Sequence, residues 1–331
     1  SMRIPFWFFL FYFFLVVGSK GQELFEQRDD GFVRALDDSY LRGLNFLQSR
    51  QEDAGGWRDS SYGSEPGVMG MALLAFLSRG DDPEFGPYSG AISRSVDAII
   101  KKQNEETGYI GSSMYNHGFA TLALAEFYGM TNDRRIGPAL RKATQLILAS
   151  QKRNPKGGWR YSPESKDADT TVSGAQMVAL FAARNAGIQV PDEAFEKGKA
   201  FLLSCQDNNG GFGYQTNSGA NLPRTAIGSL VLSLAGETKS EAYEKSVDYL
   251  RQNAKFGDRG HKFYSLYYTS QAMFRVSPGD WNSWNLENVR RLQNSQLENG
   301  SWNGNYGNVF ATSSALLSMA LNYRYLPIYE R

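Results

Sequence analysis

Five times along the chain a helical stretch ends in glutamine and is followed within a few residues by glycine and an aromatic. The copies are Gln51 to Gly55-Gly56-Trp57, Gln103 to Gly108-Tyr109, Gln151 to Gly157-Gly158-Trp159, Gln206 to Gly210-Gly211-Phe212 and Gln296 to Gly300-Ser301-Trp302. The aromatics recur about every 50 residues, and the wider gap between Phe212 and Trp302 has room for one degenerate copy at Gln252 to Phe256-Gly257. A period of that length calls for about six copies of one helical unit in a single array, not two unrelated domains.

Each unit reads as two helices. The one that leads to the glutamine is apolar on one side, as in Tyr40, Leu44, Leu47 and Gln51, or Ala143, Leu146, Ile147 and Gln151. The one after the aromatic is small and apolar nearly all round: Gly67 to Leu77, Gly118 to Tyr128, Val172 to Ala183, Ala226 to Ala235, Tyr264 to Phe274 and Phe310 to Leu321. Helices apolar on every side are buried and one-sided ones lie outside, so an inner and an outer ring are expected. Open solenoids need polar end units. Here the last unit reads like the first, which predicts closure into an all-α, α/α toroid with parallel inner helices whose N-terminal ends share one face.

Residues Ile4 to Val17 form an apolar run after Arg3 and before Gly18-Ser19-Lys20-Gly21. A basic start, a run short for a membrane span and small residues after it describe a secretory signal. The expected division is a signal peptide over 1–21, a linker over 22–35 and the toroid over 36–331. Left uncleaved, the run would tether the chain to a membrane surface. Both cases place the globular part in an extracytoplasmic, periplasmic or secreted location of a bacterial cell. The lone Cys205 cannot form an internal disulfide and reads as a buried thiol. With 35 basic and 34 acidic residues and no Lys/Arg block, no electrostatic footprint for nucleic acid is present. Nothing in the chain bears on its oligomeric state.

The stretches Arg42-Gly43…Phe46-Leu47…Gln51…Gly55-Gly56-Trp57 and Lys197-Gly198…Phe201-Leu202…Gln206…Gly210-Gly211-Phe212 resemble the QW repeats of the prenyltransferase and squalene/oxidosqualene cyclase superfamily. The resemblance covers about residues 36 to 331 and implies a single-barrel member of that α/α toroid group. It also implies that the glutamine closes helix-end backbone groups and that the tryptophan stacks between units. Such repeats bear on fold, and one fold hosts several functions.

Asp167-Ala168-Asp169-Thr170-Thr171, at the entry to the third inner helix, resembles the Asp-x-Asp-Asp motif of class II terpene cyclases. Thr170 stands in place of its last Asp. The resemblance implies that Asp169 protonates an alkene with Asp167 as its neighbour, which requires a carboxyl kept protonated by desolvation and by a nearby like charge. The same residues have another reading, because Asp169 or Thr170 at that place is also good helix-capping chemistry.

The two histidines, His117 and His261, both precede inner helices, and the toroid would bring them to the face that holds Asp169. His117 joins Asp169 and Asp167 as a candidate catalytic group. Tyr62, Glu65, Tyr115, Tyr161, Thr170, Arg224, His261, Tyr264 and Tyr268 are candidate ligand contacts at the same mouth, where tyrosine faces would steady a cation or stack a sugar. No Asp-x-Cys pair or second cysteine is available for zinc, and the spacing of His117, His261 and Asp169 does not require one, so no metal and no cofactor are expected. The expected function is that of a terpene-cyclase-like protein holding an apolar isoprenoid; the alternatives are a non-catalytic binding or scaffolding toroid and a carbohydrate-active toroid with a sugar-like ligand.

Overall fold

A computed structural model of the chain describes residues 30–59, 62–131, 133–256 and 262–330. The apolar run, its cleavage point and His261 lie outside them. Twelve α-helices occur among the described residues, with isolated bridges in place of strands. The outer helices are α1 (Asp30–Arg50), α3 (Ser89–Lys101), α5 (Ile136–Arg153), α7 (Asp192–Ser204), α9 (Glu241–Asn253) and α11 (Pro278–Ser295). The inner helices are α2 (Pro66–Leu77), α4 (Met114–Met130), α6 (Thr170–Asn185), α8 (Leu222–Leu234), α10 (Lys262–Val276) and α12 (Asn308–Ala320). Helix α1 takes in residues 30–35, which composition assigned to a linker.

Around the inner ring each helix packs on the next, and α12 packs back on α2. Every residue of α2 is buried, as its lack of a polar face requires. Small residues let the inner helices approach closely. A Cβ on Gly70 would stand 2.7 Å from the Phe119 carbonyl oxygen of α4, so any larger residue would push the pair apart. One outer helix returns the chain between successive inner ones. The inner helices are therefore parallel, and their N-terminal ends form one face.

The repeated glutamines fasten the outer ring. The side-chain amide of Gln51 donates to the carbonyls of Gly55 and Ala91. Gln103 does the same to Gly108 and Ala139, Gln151 to Gly157 and Ala194, and Gln206 to Gly210 and Ala242. The first bond closes the turn after the outer helix and the second reaches the first turn of the next outer helix, so one amide ties each unit to its neighbour. Gln296 donates to Gly300 and to the Ser39 carbonyl at 2.9 Å, binding α11 to α1. That bond closes the ring. It needs glycine at 300, where φ is +86° and a Cβ would meet the Arg42 carbonyl oxygen at 2.3 Å.

Trp57, Trp159 and Trp302 are buried, and their indole N–H groups donate to the carbonyls of Leu47, Ile147 and Leu292 in the C-terminal halves of their own outer helices. In the second unit the structure corrects the expected register. Ile110, not Tyr109, takes the aromatic's place: it bridges Gln103 as Trp57 bridges Gln51, while Tyr109 is only partly buried and packs on His117. The degenerate copy departs further. Gln252 is exposed and Phe256 stacks on Trp284 of α11 with centroids 5.2 Å apart. Cys205 is a buried free thiol.

At the far end of the ring, a 3-10 turn over Pro327–Tyr329 crosses the C-terminal ends of the inner helices and buries its own Ile328 and Tyr329 against them. Arg275 of α10 pins this strap by donating to the carbonyls of Ile328 and Glu330.

Candidate functional site

The shared N-terminal face of the inner helices opens onto a cavity of about 570 Å³. Each helix entry contributes to its wall: Tyr62 and Glu65 before α2, Tyr115 and Asn116 on α4, Tyr161 and Thr171 around the start of α6, Asn221 and Arg224 at α8, Tyr264 on α10, and Tyr306 and Phe310 at α12. Residues nearly 250 positions apart in sequence thus meet because parallel helices deliver their first turns to one place.

Tyrosines dominate the wall. The phenols of Tyr161 and Tyr214 lie 2.7 Å apart and those of Tyr115 and Tyr264 3.4 Å apart, while the ring of Tyr62 meets that of Tyr306 edge-on at 5.8 Å. Burial pushes the Tyr115 and Tyr264 hydroxyls well above the usual phenol range, so both stay neutral donors at any physiological pH. Glu65 is held in place by Asn116, whose side-chain amide donates at 2.6 Å, and by the Ser112 hydroxyl. Asp59 lies at the same end but accepts from the Val309 backbone N–H.

Asp169 caps α6. Its Oδ1 accepts from the backbone N–H groups of Thr171 and Val172 and from the Thr171 hydroxyl, a role that Ser113 fills for α4 and Asn221 for α8. Its Oδ2 stands 3.4 Å from Arg160 Nε, close enough for charge attraction but without the alignment of a hydrogen bond. Burial raises the Asp169 carboxyl above the ordinary carboxylate range, against the opposing pull of the Thr171 hydroxyl, the Val172 N–H and Arg160. Asp167 is not the expected like-charged neighbour. Its carboxylate is largely exposed and is paired at 2.6 Å with Arg160, which stands between the two acids and carries the charge that keeps them from acting as a dyad. Asp169 is fully buried, and Thr171 takes its place on the cavity wall.

His117 does not reach the cavity. Nδ1 accepts from the Ile110 N–H at 3.1 Å, so Nε2 carries the proton and donates to the Ala143 carbonyl at 2.9 Å. Burial drives this imidazole down to about 4, and it is neutral. The same job falls to hydroxyls elsewhere: Ser173, Thr225 and Thr312 accept from the N–H groups of Trp159, Phe212 and Trp302. His117 is therefore the second unit's version of a repeat position. Truncating it to alanine leaves the buried Ile110 N–H unpaired and takes the second donor from the Ala143 carbonyl, which keeps its helical bond, and chemical denaturation is expected to register a loss of about 1–3 kcal/mol.

Of the other candidates, Tyr62, Glu65, Tyr115, Tyr161, Arg224 and Tyr264 line the cavity. Thr170 is buried and donates to the Gly213 carbonyl, and Tyr268 lies behind Tyr264 in the lumen. Sequence reasoning overlooked Tyr214, Tyr306, Asn116, Asn221 and Arg160. Tyr214 was accessible in principle: it sits two residues after Phe212, as Tyr161 does after Trp159. The cap role of Asn221 could likewise have been read from its place before Pro223 and Arg224. Among the described residues no three His, Cys, Asp or Glu side chains cluster as for a metal ion.

Solved structures with the same architecture carry different ligands. A variant of the type II terpene cyclase MstE from Scytonema, in complex with its substrate geranylgeranyl dihydroxybenzoate, is 15% identical with a TM-score of 0.62, over 89% of this chain and 99% of that one. An inactive variant of the α-1,6-mannanase GH76A from a Salegentibacter species, in complex with α-1,6-mannotriose, is 10% identical with a TM-score of 0.66, over 86% and 98%. At such identities the likeness establishes the α/α toroid and nothing about chemistry. No curated protein matches the chain. Residues 42–329, nearly the whole ring, match the family described as a domain of unknown function, DUF6288, and the chain belongs to that family.

Proposed function

We propose that this toroid binds a saccharide-like, hydroxyl-rich ligand in the cavity at the inner-helix N-termini. The observation that carries this function is the make-up of the wall: six tyrosines with Glu65, Asn116, Asn221 and Arg224, above the apolar side chains of Val68, Met71 and Phe119. Phenol faces stack on the C–H faces of sugar rings, while amides and a carboxylate exchange hydrogen bonds with hydroxyls. The mannanase complex supports it to the extent that a toroid of this kind accommodates a short oligosaccharide. Glu65 is the only carboxylate on the wall among the described residues, whereas glycoside hydrolysis generally takes an opposed pair. Binding is thus the activity this wall supports. A cleaved signal over 1–21 would place it outside the cytoplasm.

The test is calorimetric titration with short oligosaccharides, α-1,6-mannotriose among them, and with geranylgeraniol. Saccharide binding weakened about tenfold by Tyr62→Ala or Tyr306→Ala is expected, since each removes one stacking face. Binding of the isoprenoid alone would overturn the proposal.

Asp169 supports a second function, isoprenoid cyclisation begun by proton transfer. Its carboxyl is buried and raised, and it stands one hydroxyl, that of Thr171, behind the cavity wall. Direct donation from that position would need the wall to open. If the protein is a cyclase, Asp169→Asn abolishes conversion of an isoprenoid; if Asp169 is a cap only, the same variant alters stability alone, by about 1 kcal/mol.

A further inference from the structure

The inner ring runs α2, α4, α6, α8, α10, α12, so α8 stands diametrically across the cavity from α2. Among the described residues of the wall, Arg224, in the first turn of α8, is the only basic side chain and Glu65, the N-cap residue of α2, the only carboxylate. The wall therefore has one cationic and one anionic pole facing each other. We propose that the cavity selects an acidic saccharide, a uronate-type sugar whose carboxylate pairs with Arg224 while its hydroxyls donate to Glu65. This rests on the saccharide function proposed above.

Arg224 is built to receive an anion. One Nη1 donor is spent on the Gly219 carbonyl at 2.8 Å and the guanidinium lies over the Tyr214 ring at 5.2 Å, which fixes its orientation. Among the described residues no carboxylate comes within ion-pair distance of it. Arg160, over the same Tyr214 ring, makes the contrast: its charge is taken up by Asp167 and Asp169. A planar guanidinium held on an aromatic face with its remaining N–H donors unspent matches the two oxygens of a carboxylate. Glu65, with its Asn116 and Ser112 donors, still has acceptor capacity for sugar hydroxyls.

Methyl esterification removes the charge of a uronate and leaves its shape nearly unchanged. Trisaccharides of galacturonate, glucuronate and mannuronate, each beside its methyl ester and beside α-1,6-mannotriose, would be titrated into the purified protein at low salt. At least one acid is expected to bind about tenfold or more tightly than its ester, in keeping with a charge-assisted hydrogen bond, and Arg224→Gln is expected to bring the acid down to the ester's affinity. Arg224→Lys, which keeps the charge and loses the fork, should restore part of the preference. Acid and ester binding equally, or a preference that survives Arg224→Gln in a variant of unchanged melting temperature, overturns acid selection and leaves the saccharide function standing. If none of these sugars binds, the saccharide function falls, and acid selection with it.

Discussion

Trp159→Ala is expected to destabilise the toroid by about 3–5 kcal/mol in chemical denaturation, the range for emptying a large aromatic from a packed core. The side chain is fully buried, its indole N–H donates to the Ile147 carbonyl at 2.9 Å, and its main chain pairs with Ser173 and Asp169. Alanine both opens a cavity between the outer helix α5 and the inner helix α6 and removes the indole bond to the Ile147 carbonyl. Trp159→Phe separates the two effects, because it keeps most of the volume and loses only the donor, at about 1 kcal/mol. In a chain of this size the alanine variant should melt about 5–8 °C lower. A melting temperature equal to that of the parent would mean that the repeat aromatic does not hold the units together.

Stability is expected to fall as pH rises from about 4.5 to about 8, owing to Glu126. This glutamate of α4 is buried beneath the C-terminal strap, and burial pushes its carboxyl up to about 8 from an ordinary 4.5, with Glu330 adding to the rise and the Ile328 N–H, 3.5 Å away, opposing it. The Tyr267 and Tyr329 phenols beside it are neutral, and Glu330 is a like charge. The folded chain keeps this proton where the unfolded chain has already released it. The associated stability is thus complete below 4.5 and is lost as pH climbs through the folded value. A shift of this size corresponds to about 3–5 kcal/mol across the window. Glu126→Gln should flatten that part of the pH profile in urea denaturation, and hydrogen exchange should show the strap over Pro327–Tyr329 opening less at pH 9 than in the parent. An unchanged slope in the glutamine variant would assign the pH dependence to another group.

The repeat pattern was enough to anticipate the two rings, the parallel inner helices and the burial of Trp57, Trp159 and Trp302. Those depend on local periodicity and on turn chemistry, both written in neighbouring residues. Closure was legible too, because the last glutamine motif matches the first and Gln296 finds Ser39 as Gln51 finds Ala91. The misplaced candidates at the site share one cause, the direction of side chains in a helix's first turn. His117, at a helix entry, was expected in the cavity, but its ring turns into the wall to serve Ile110 and Ala143, as Ser173 and Thr225 serve their own units. Asp169 and Asp167 were expected as a pair, yet Arg160, seven residues before Asp167, enters between them.

By itself the sequence determined the architecture, since repeated helix pairs that each leave an apolar face unburied have a stable solution in stacking and closing. It also placed the N-terminal ends of six inner helices at one mouth. Only the tertiary structure decided which of the side chains there face the cavity and which face the neighbouring unit, because a side chain's direction in a first turn is set by hydrogen-bond partners on another repeat. Tertiary structure alone also set Arg224 across from Glu65. Their opposition comes from the order of helices around a closed ring, a relation that no local stretch of chain contains.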